Sequence, residues 1–500
     1  MRLITTVRLS YKVDGQFLIK SALFPIDEGK VYLITGNENR SFGLIGGIIA
    51  NLFPVNEKLD WPQLQALIED YTGELIIEEG ELPQSTAFVG VDPDHFLFFS
   101  KVKEEMKVQI KKSNNSDILK FGLDESFLER RICNLSGGEK MKVSLSVAFA
   151  LKHSCYIFHG VIPWLDKSGR EQFIKEISRV KNEGACIILL EHEAYPIRNI
   201  VDKVFNFNGF TTTEIDKVQY FSHSFIDLDV QKNSQFLSKQ INNSKLIHSP
   251  IAPDSPILEF EKVSLYNYPS SELPRKSPLL NEISFKLYNH RIYGLIGVNG
   301  SGKSTISQIA FRVLKPDSGN VRFCDESIQS IPKKELIKQI CYIGQFPEQQ
   351  ITLNTIKDYK LKAEKNDNNI SKMLIEKWLD VSDDFPVSLL SVFQMKSLLL
   401  TSSITSETKL IILDEISWGV DEKGQATILN ILNDISKQLS FALFIISHNL
   451  NLVQALNAEI LWMNEGHLSV YKDIKELFSN MKDSSIFDIP ATLINDEAVE

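Results

Sequence analysis

The residues best placed to do chemistry are Gly297-Val298-Asn299-Gly300-Ser301-Gly302-Lys303-Ser304-Thr305, which fit GxxxxGK[ST] throughout. The motif follows a β-rich run, Tyr293–Ile296, and opens a helical pattern over Thr305–Leu314. That strand–loop–helix setting is what the motif requires. Glycines let backbone N–H groups approach phosphate oxygens, and a helix N-terminus favours anions. Lys303 is expected to reach the β- and γ-phosphates of a nucleotide, and Ser304 to ligate Mg2+. Further along, Lys409–Glu415 reads as a buried strand ending in two carboxylates. Asp414 suits a place at the Mg2+, and Glu415 is placed to polarise an attacking water. An apolar run ending in Asp-Glu is commonplace alone; beside the glycine-rich loop it acquires a role. Phe444–His448 is a third strand pattern with a polar end, from which His448 could contact the γ-phosphate.

These segments need a scaffold, and the chain carries that scaffold twice. Leu135-Ser136-Gly137-Gly138-Glu139 lies 255 positions before Leu390-Ser391-Val392-Phe393-Gln394. Ile187–His192 ends 256 positions before the end of Leu443–His448, and Gly36 lies 261 positions before Gly297. The order of features is the same in both halves, so one unit of roughly 250 residues has been duplicated and fused. Short β-branched runs alternate with helical patterns, which indicates an α/β fold with a largely parallel sheet. The expected division is 1–215, a linker over 216–256 rich in Ser, Asn, Gln and Lys, and 257–500.

Composition narrows the function classes. Of 500 residues, 43% are hydrophobic and 24% charged, enough for folded cores. The net charge of -10 argues against a nucleic-acid-binding face, because neutralising phosphates needs a surplus of Lys and Arg. The five cysteines have no CxxC spacing, as expected of reduced thiols in a cytosolic protein. No segment reads as a membrane span, which needs roughly 20 apolar residues. Arg8, Lys12 and Asp14 come too early for a signal peptide.

With these residues in view, the chain resembles the ATP-binding cassette (ABC) ATPases across nearly its whole length. The resemblance implies two P-loop NTPase cassette domains in tandem, each α/β with a mostly parallel sheet and a helical subdomain. It also implies a head-to-tail pseudo-dimer that binds ATP and Mg2+. In the second half it implies a Q-loop glutamine, Gln345, which joins Ser304 and Asp414 at the Mg2+. It adds a D-loop Asp421 and a switch His448. The catalytic set would be Glu415, His448, Gln345 and Lys303. Tyr266 or Tyr268 would stack on adenine, and the spacing does not choose between them. The first half keeps the family's signature, Leu135–Glu139, whose Ser136, Gly137, Gly138 and Glu139 would contact nucleotide.

Each half has also lost something. In the first, Phe42 and Gly43 stand where Lys and Ser are expected, His159 and Gly160 where the two carboxylates are expected, and Val91 replaces the Q-loop glutamine; His192 and Asp166 remain. In the second, Val392 and Phe393 replace the signature glycines, and a branched residue and a ring would block close backbone approach to phosphate. In the family's pairing, each site takes one cassette's phosphate loop and the other's signature. The losses then fall entirely on one site, leaving the other complete.

Tyr342–Gln350 is similar to the Gln-x-Pro-Glu-x-Gln pattern of energy-coupling factor ATPases, echoed in Val91-Asp92-Pro93-Asp94. That resemblance implies a transmembrane coupling protein and a substrate-binding membrane subunit as partners, with Ile351–Asp358 beginning the contacting helix. The chain itself would be cytoplasmic, peripheral on the inner face of the cell membrane. Other classes compete: the ATPase of a conventional ABC transporter with separate membrane chains, a soluble ribosome-associated tandem cassette, and a non-catalytic interaction protein. The neutral linker and acidic balance fit the ribosomal class poorly. The Lys303–Glu415 set argues against the non-catalytic one. DNA-repair cassettes are disfavoured because no heptad run of coiled-coil length interrupts either half.

Overall fold

The computed structural model describes residues 6–13, 16–36, 45–50, 74–83, 85–109, 121–123, 125–135, 137–191, 194–208, 211–222, 255–266, 278–298, 300–366, 368–387, 390–417, 420, 422–447 and 449–480. The chain divides into two compact units, Met1–Ser224 and Phe225–Glu500.

The first unit holds β1 (Thr6–Val13), β2 (Gln16–Pro25), β3 (Val31–Gly36), β4 (Glu74–Glu79), β5 (Thr86–Val89), β6 (Cys155–His159), β7 (Cys186–Leu190), β8 (Lys203–Phe207) and β9 (Thr212–Ile215). One sheet runs β5-β6-β7-β3-β8-β9, parallel except for the β8–β9 pair; a smaller antiparallel sheet runs β2-β1-β4. The second unit repeats this. Its strands are β10 (Leu258–Tyr266), β11 (Pro278–Leu287), β12 (Ile292–Gly297), β13 (Ser318–Phe323), β14 (Glu326–Ser327), β15 (Ile340–Ile343), β16 (Leu410–Asp414), β17 (Ala442–Ile446), β18 (Glu459–Asn464) and β19 (His467–Tyr471). The main sheet runs β15-β16-β17-β12-β18-β19, and the antiparallel sheet β11-β10-β13-β14.

The sequence dictates this sheet. Leu410–Asp414, apolar up to its final carboxylate, and the wholly apolar Ala442–Ile446 show no alternation and are buried along their whole length, as strands covered on both faces must be. One face packs Ile411, Leu413, Leu443 and Ile445; the other packs Leu410, Ile412, Phe444 and Ile446. Each such side chain contributes about 1.5–3 kcal/mol by leaving water. A separate cluster of Ile356, Tyr359, Ile375, Leu390, Met395 and Leu398 binds the helices Ile356–Lys365, Asn369–Trp378 and Val392–Ser403 into a helical subdomain. In the first unit Val102, Met106, Leu135, Val143 and Val147 do the same around Val102–Gln109 and Gly137–Ala150.

Because β15, β16, β17 and β12 are parallel neighbours, with Leu413 beside Ile343 and Ile446 beside both Asp414 and Leu295, their C-terminal ends share one edge. That edge is where open α/β sheets bind ligands.

Two local expectations change. The helix after the glycine-rich loop is Lys303–Ala310, starting two residues earlier and stopping four earlier than the Thr305–Leu314 pattern. Arg312 turns left-handed at φ 57, and both Val313 and Leu314 donate to Gln308 O, which closes the helix before Pro316. Within the stretch read as linker, Lys217–Ser222 forms a short helix belonging to the first unit; residues 223–254 lie outside the described residues.

Candidate functional site

In the second unit β12 ends at Gly297, and Gly302 caps the following helix at φ 101. Only glycine holds that conformation without strain, and a Cβ there would also lie 2.7 Å from Leu280 Cδ2. Gly300 and Ser301 lie in the loop between, while Asn299 is outside the described residues. Lys303 opens the helix and is only 6% exposed. Its Nζ donates to Gly297 O at 2.9 Å and Val298 O at 3.0 Å, so the ammonium sits across the loop. Burial pushes its pKa down, against the pull of Glu415 and Asp414. Ser304 is exposed on the first turn and Thr305 half-buried.

Asp414 closes β16 and is 2% exposed. Ser307 Oγ lies 3.1 Å from its Oδ2 and 2.8 Å from Ser304 O; Tyr342 OH is 3.5 Å from the same Oδ2. Burial pushes the Asp414 pKa up to about 6, while Ser307, Lys303, Lys396 and the Ser304 hydroxyl favour the charged form. Its other oxygen, Oδ1, is buried with no hydrogen-bond partner, and so is Ser301 Oγ. A buried carboxylate oxygen without a partner is costly. Next to an exposed serine hydroxyl, it is a donor set that fits a hard divalent cation such as Mg2+.

Glu415 follows directly at φ 50, an unusual conformation for a residue with a side chain. Its N–H donates to Ile446 O at 2.8 Å, so the turn is fixed to the end of β17. Gln345 lies two residues past β15 and is half-buried. Gln350, at the end of the same motif, accepts from Gly344 N at 2.8 Å and donates to Tyr342 O at 3.1 Å, clamping the loop across its own 3-10 turn, Pro347–Gln349. Helix Ile356–Lys365 then begins with a capping box between Thr355 and Asp358, five residues past the start of the segment expected to open it. Tyr266 ends β10, half-buried, its N–H bonded to Asp317. Tyr268, Asp421 and His448 lie outside the described residues.

Three side chains in this cluster were missed by the sequence reading: Ser307, Tyr342 and Lys396. Lys396 carried a signal, a lone charge inside the apolar stretch Met395–Leu400.

The first unit makes the same turn with other chemistry. β6 ends in buried His159, and Gly160 follows at φ 62 with its N–H on Leu190 O at 3.0 Å. Glu191, 2% exposed, accepts the N–H groups of Val161 at 2.6 Å and Ile162 at 3.0 Å. Trp164 Nε1 donates to Val91 O at 2.8 Å, and its ring packs so closely on Gly137 that a Cβ there would lie 2.1 Å from Cζ3. Gly137 therefore has a packing reason to be glycine. Gly138 is buried, Glu139 pairs with Arg130 at 2.9 Å, and Ser136 is outside the described residues, as are Phe42, Gly43 and His192. Asp166 caps Lys167–Asn182 through Gly169 N at 2.7 Å and pairs with Lys142 at 2.9 Å.

Residues 280–417 match the family described as ABC transporter. A Bacillus subtilis (strain 168) ATP-binding protein named for HMP/thiamine import, YkoD, is 22% identical over 94% of this chain and 91% of its own length. The chain is a tandem ATP-binding cassette ATPase. Its resemblance to energy-coupling factor ATPases has a counterpart in the Staphylococcus aureus (strain USA300) energy-coupling factor transporter ATP-binding protein EcfA2, 27% identical over 45% of this chain and 82% of that one. The solved structure of an RNase-L Inhibitor covers 95% of both chains at a TM-score of 0.54 and 15% identity, a likeness of fold. No helix of this ABC ATPase, among the described residues, is long and apolar enough to cross a membrane.

Proposed function

We propose that this chain is the ATP-hydrolysing subunit of an energy-coupling-factor-like uptake transporter for a vitamin or metal ion, with one competent ATP site. The observation that carries the reading is the convergence of Lys303, the partnerless Asp414 Oδ1 and the turn-held Glu415 at one sheet edge, where the first unit has His159 and Gly160.

Backbone N–H groups of the loop ending at Gly302 and the Lys303 ammonium hold the β- and γ-phosphates. Ser304, Asp414 and Gln345 would hold Mg2+, which when bound would offset the negative charge of the phosphates. Glu415 accepts a hydrogen bond from the attacking water and draws its proton as the water oxygen bonds to the γ-phosphorus. The bond to the β–γ bridging oxygen breaks, and ADP and phosphate leave. His448 steadies the γ-phosphate, and Tyr266 or Tyr268 stacks on the adenine. By the pairing of the family that the sequence resembles, Ser136, Gly137, Gly138 and Glu139 would contact the nucleotide. The partition of losses supports this composite site: random decay would not spare one complete set.

The Gln345–Gln350 motif, a relative named for import and another named for an energy-coupling factor transporter support a transporter whose membrane partners are a coupling protein and a substrate-binding subunit. The chain is then peripheral on the cytoplasmic face of the membrane through those partners, with no nucleic-acid role. The test is affinity purification of tagged Glu415→Gln protein with ATP from detergent-solubilised cells, followed by mass spectrometry. A small polytopic membrane protein is expected to copurify; ribosomal proteins or soluble partners alone would contradict the transport reading.

A further inference from the structure

Lys396 has no part in the chemistry above, yet it is 2% exposed in the helix Val392–Ser403, amid Met395, Ser397, Leu398 and Leu399. An ammonium is kept out of water only where something holds it. Here its Nζ donates to Glu415 O at 2.7 Å and to Ile416 O at 3.3 Å. Glu415, Glu348 and Asp414 are the acidic groups that attract it. The bonds fall on the carbonyls of Glu415 and the residue after it, in a turn whose φ of 50 a side-chain-bearing residue rarely adopts.

The first unit supplies the control. The position 255 residues before Lys396 is Met141, fully buried, and that before Glu415 is Gly160, at φ 62. Glycine takes this conformation without strain, and the helix beside it needs no cation. The buried ammonium therefore accompanies the strained carboxylate and is absent where the carboxylate is absent.

We propose that Lys396 is a positioning residue for Glu415: by gripping the carbonyls of Glu415 and Ile416 it fixes the turn and so the direction in which the carboxylate points. This rests on the reading of Glu415 as the group that activates water. It ties the helix that follows the decayed signature to the intact catalytic turn, so that helix stays useful after its glycines are gone.

The test compares Lys396→Met, which installs the first unit's residue, with Lys396→Arg, which keeps a buried cationic donor. Turnover, KM for ATP and equilibrium ATP affinity are measured on the full chain. Lys396→Met is expected to lower kcat roughly 100-fold, the order for an ångström-scale misplacement of a catalytic group, with KM and ATP affinity within about twofold. Lys396→Arg is expected to recover most of the lost kcat, and it carries the test if the Met variant does not fold. Unchanged kcat in Lys396→Met would overturn the proposal. So would a parallel loss of kcat and ATP affinity in both variants, the mark of a merely structural role. If Glu415→Gln itself keeps full turnover, the reading of Glu415 fails instead, and the two failures are told apart.

Discussion

The two turns at the ends of β6 and β16 have the same backbone and opposite chemistry. Gly160 and Glu415 both lie in the left-handed region, and both donate their N–H to the last residue of the next strand, Leu190 or Ile446. In the second unit a side chain is forced into that conformation at a cost of about 1–3 kcal/mol. In the first unit glycine removes the cost. Buried carboxylates differ too. Asp414 Oδ1 is without a hydrogen bond, whereas Glu191 has two backbone N–H groups on one oxygen. The difference teaches that the fold does not need the strain or the partnerless oxygen: the same sheet forms without them. They persist where a ligand would use them.

The comparison can be broken at several points. Replacing Glu415 with Gln should lower turnover about 10^2–10^4-fold, the range for removing a general base, while ATP binding survives. A rate assay beside a binding assay separates the two, and retained turnover would remove the distinction between the turns. Lys303→Ala should weaken ATP binding about 10–100-fold, as loss of a charge-assisted hydrogen bond implies, and should slow turnover with it. Gly138→Asp places a carboxylate at the start of the signature helix. Hydrolysis should fall at least tenfold by repulsion of the γ-phosphate, and normal activity would rule out a composite site. Gly137→Ala should cost about 1–3 kcal/mol through overpacking on Trp164, read as a lower melting temperature; in a Trp164→Leu background that penalty should shrink. Phe42→Ala and His159→Ala should leave turnover within about twofold, since the proposed chemistry uses neither.

Much of the scaffold could be read from residues alone, for identifiable reasons. Short, isoleucine-rich apolar runs such as Leu410–Leu413 and Ile187–Leu190 read as buried strands by their length and β-branched content, and a glycine-rich loop between strand and helix fixes where phosphate chemistry would sit. The order of these segments then brings Lys303, Asp414 and Glu415 to one edge. What could not be read depends on contacts between distant segments. The left-handed turn at Arg312 has no glycine to announce it, so the helix end was misplaced. The Trp164–Gly137 contact gives a signature glycine a packing reason that its motif does not contain. Ser307 and Tyr342 meet Asp414 only once the helix and strand are packed, and Glu191 supports its turn from 30 residues away.

The most direct test of the account is the number of ATP molecules held per chain by purified Glu415→Gln protein at saturating ATP and Mg2+, measured by equilibrium dialysis. One site complete and one decayed predicts one nucleotide per chain, reduced by Lys303→Ala and unchanged by His159→Ala. Two nucleotides per chain, or one that survives Lys303→Ala and is lost with His159→Ala, would contradict it.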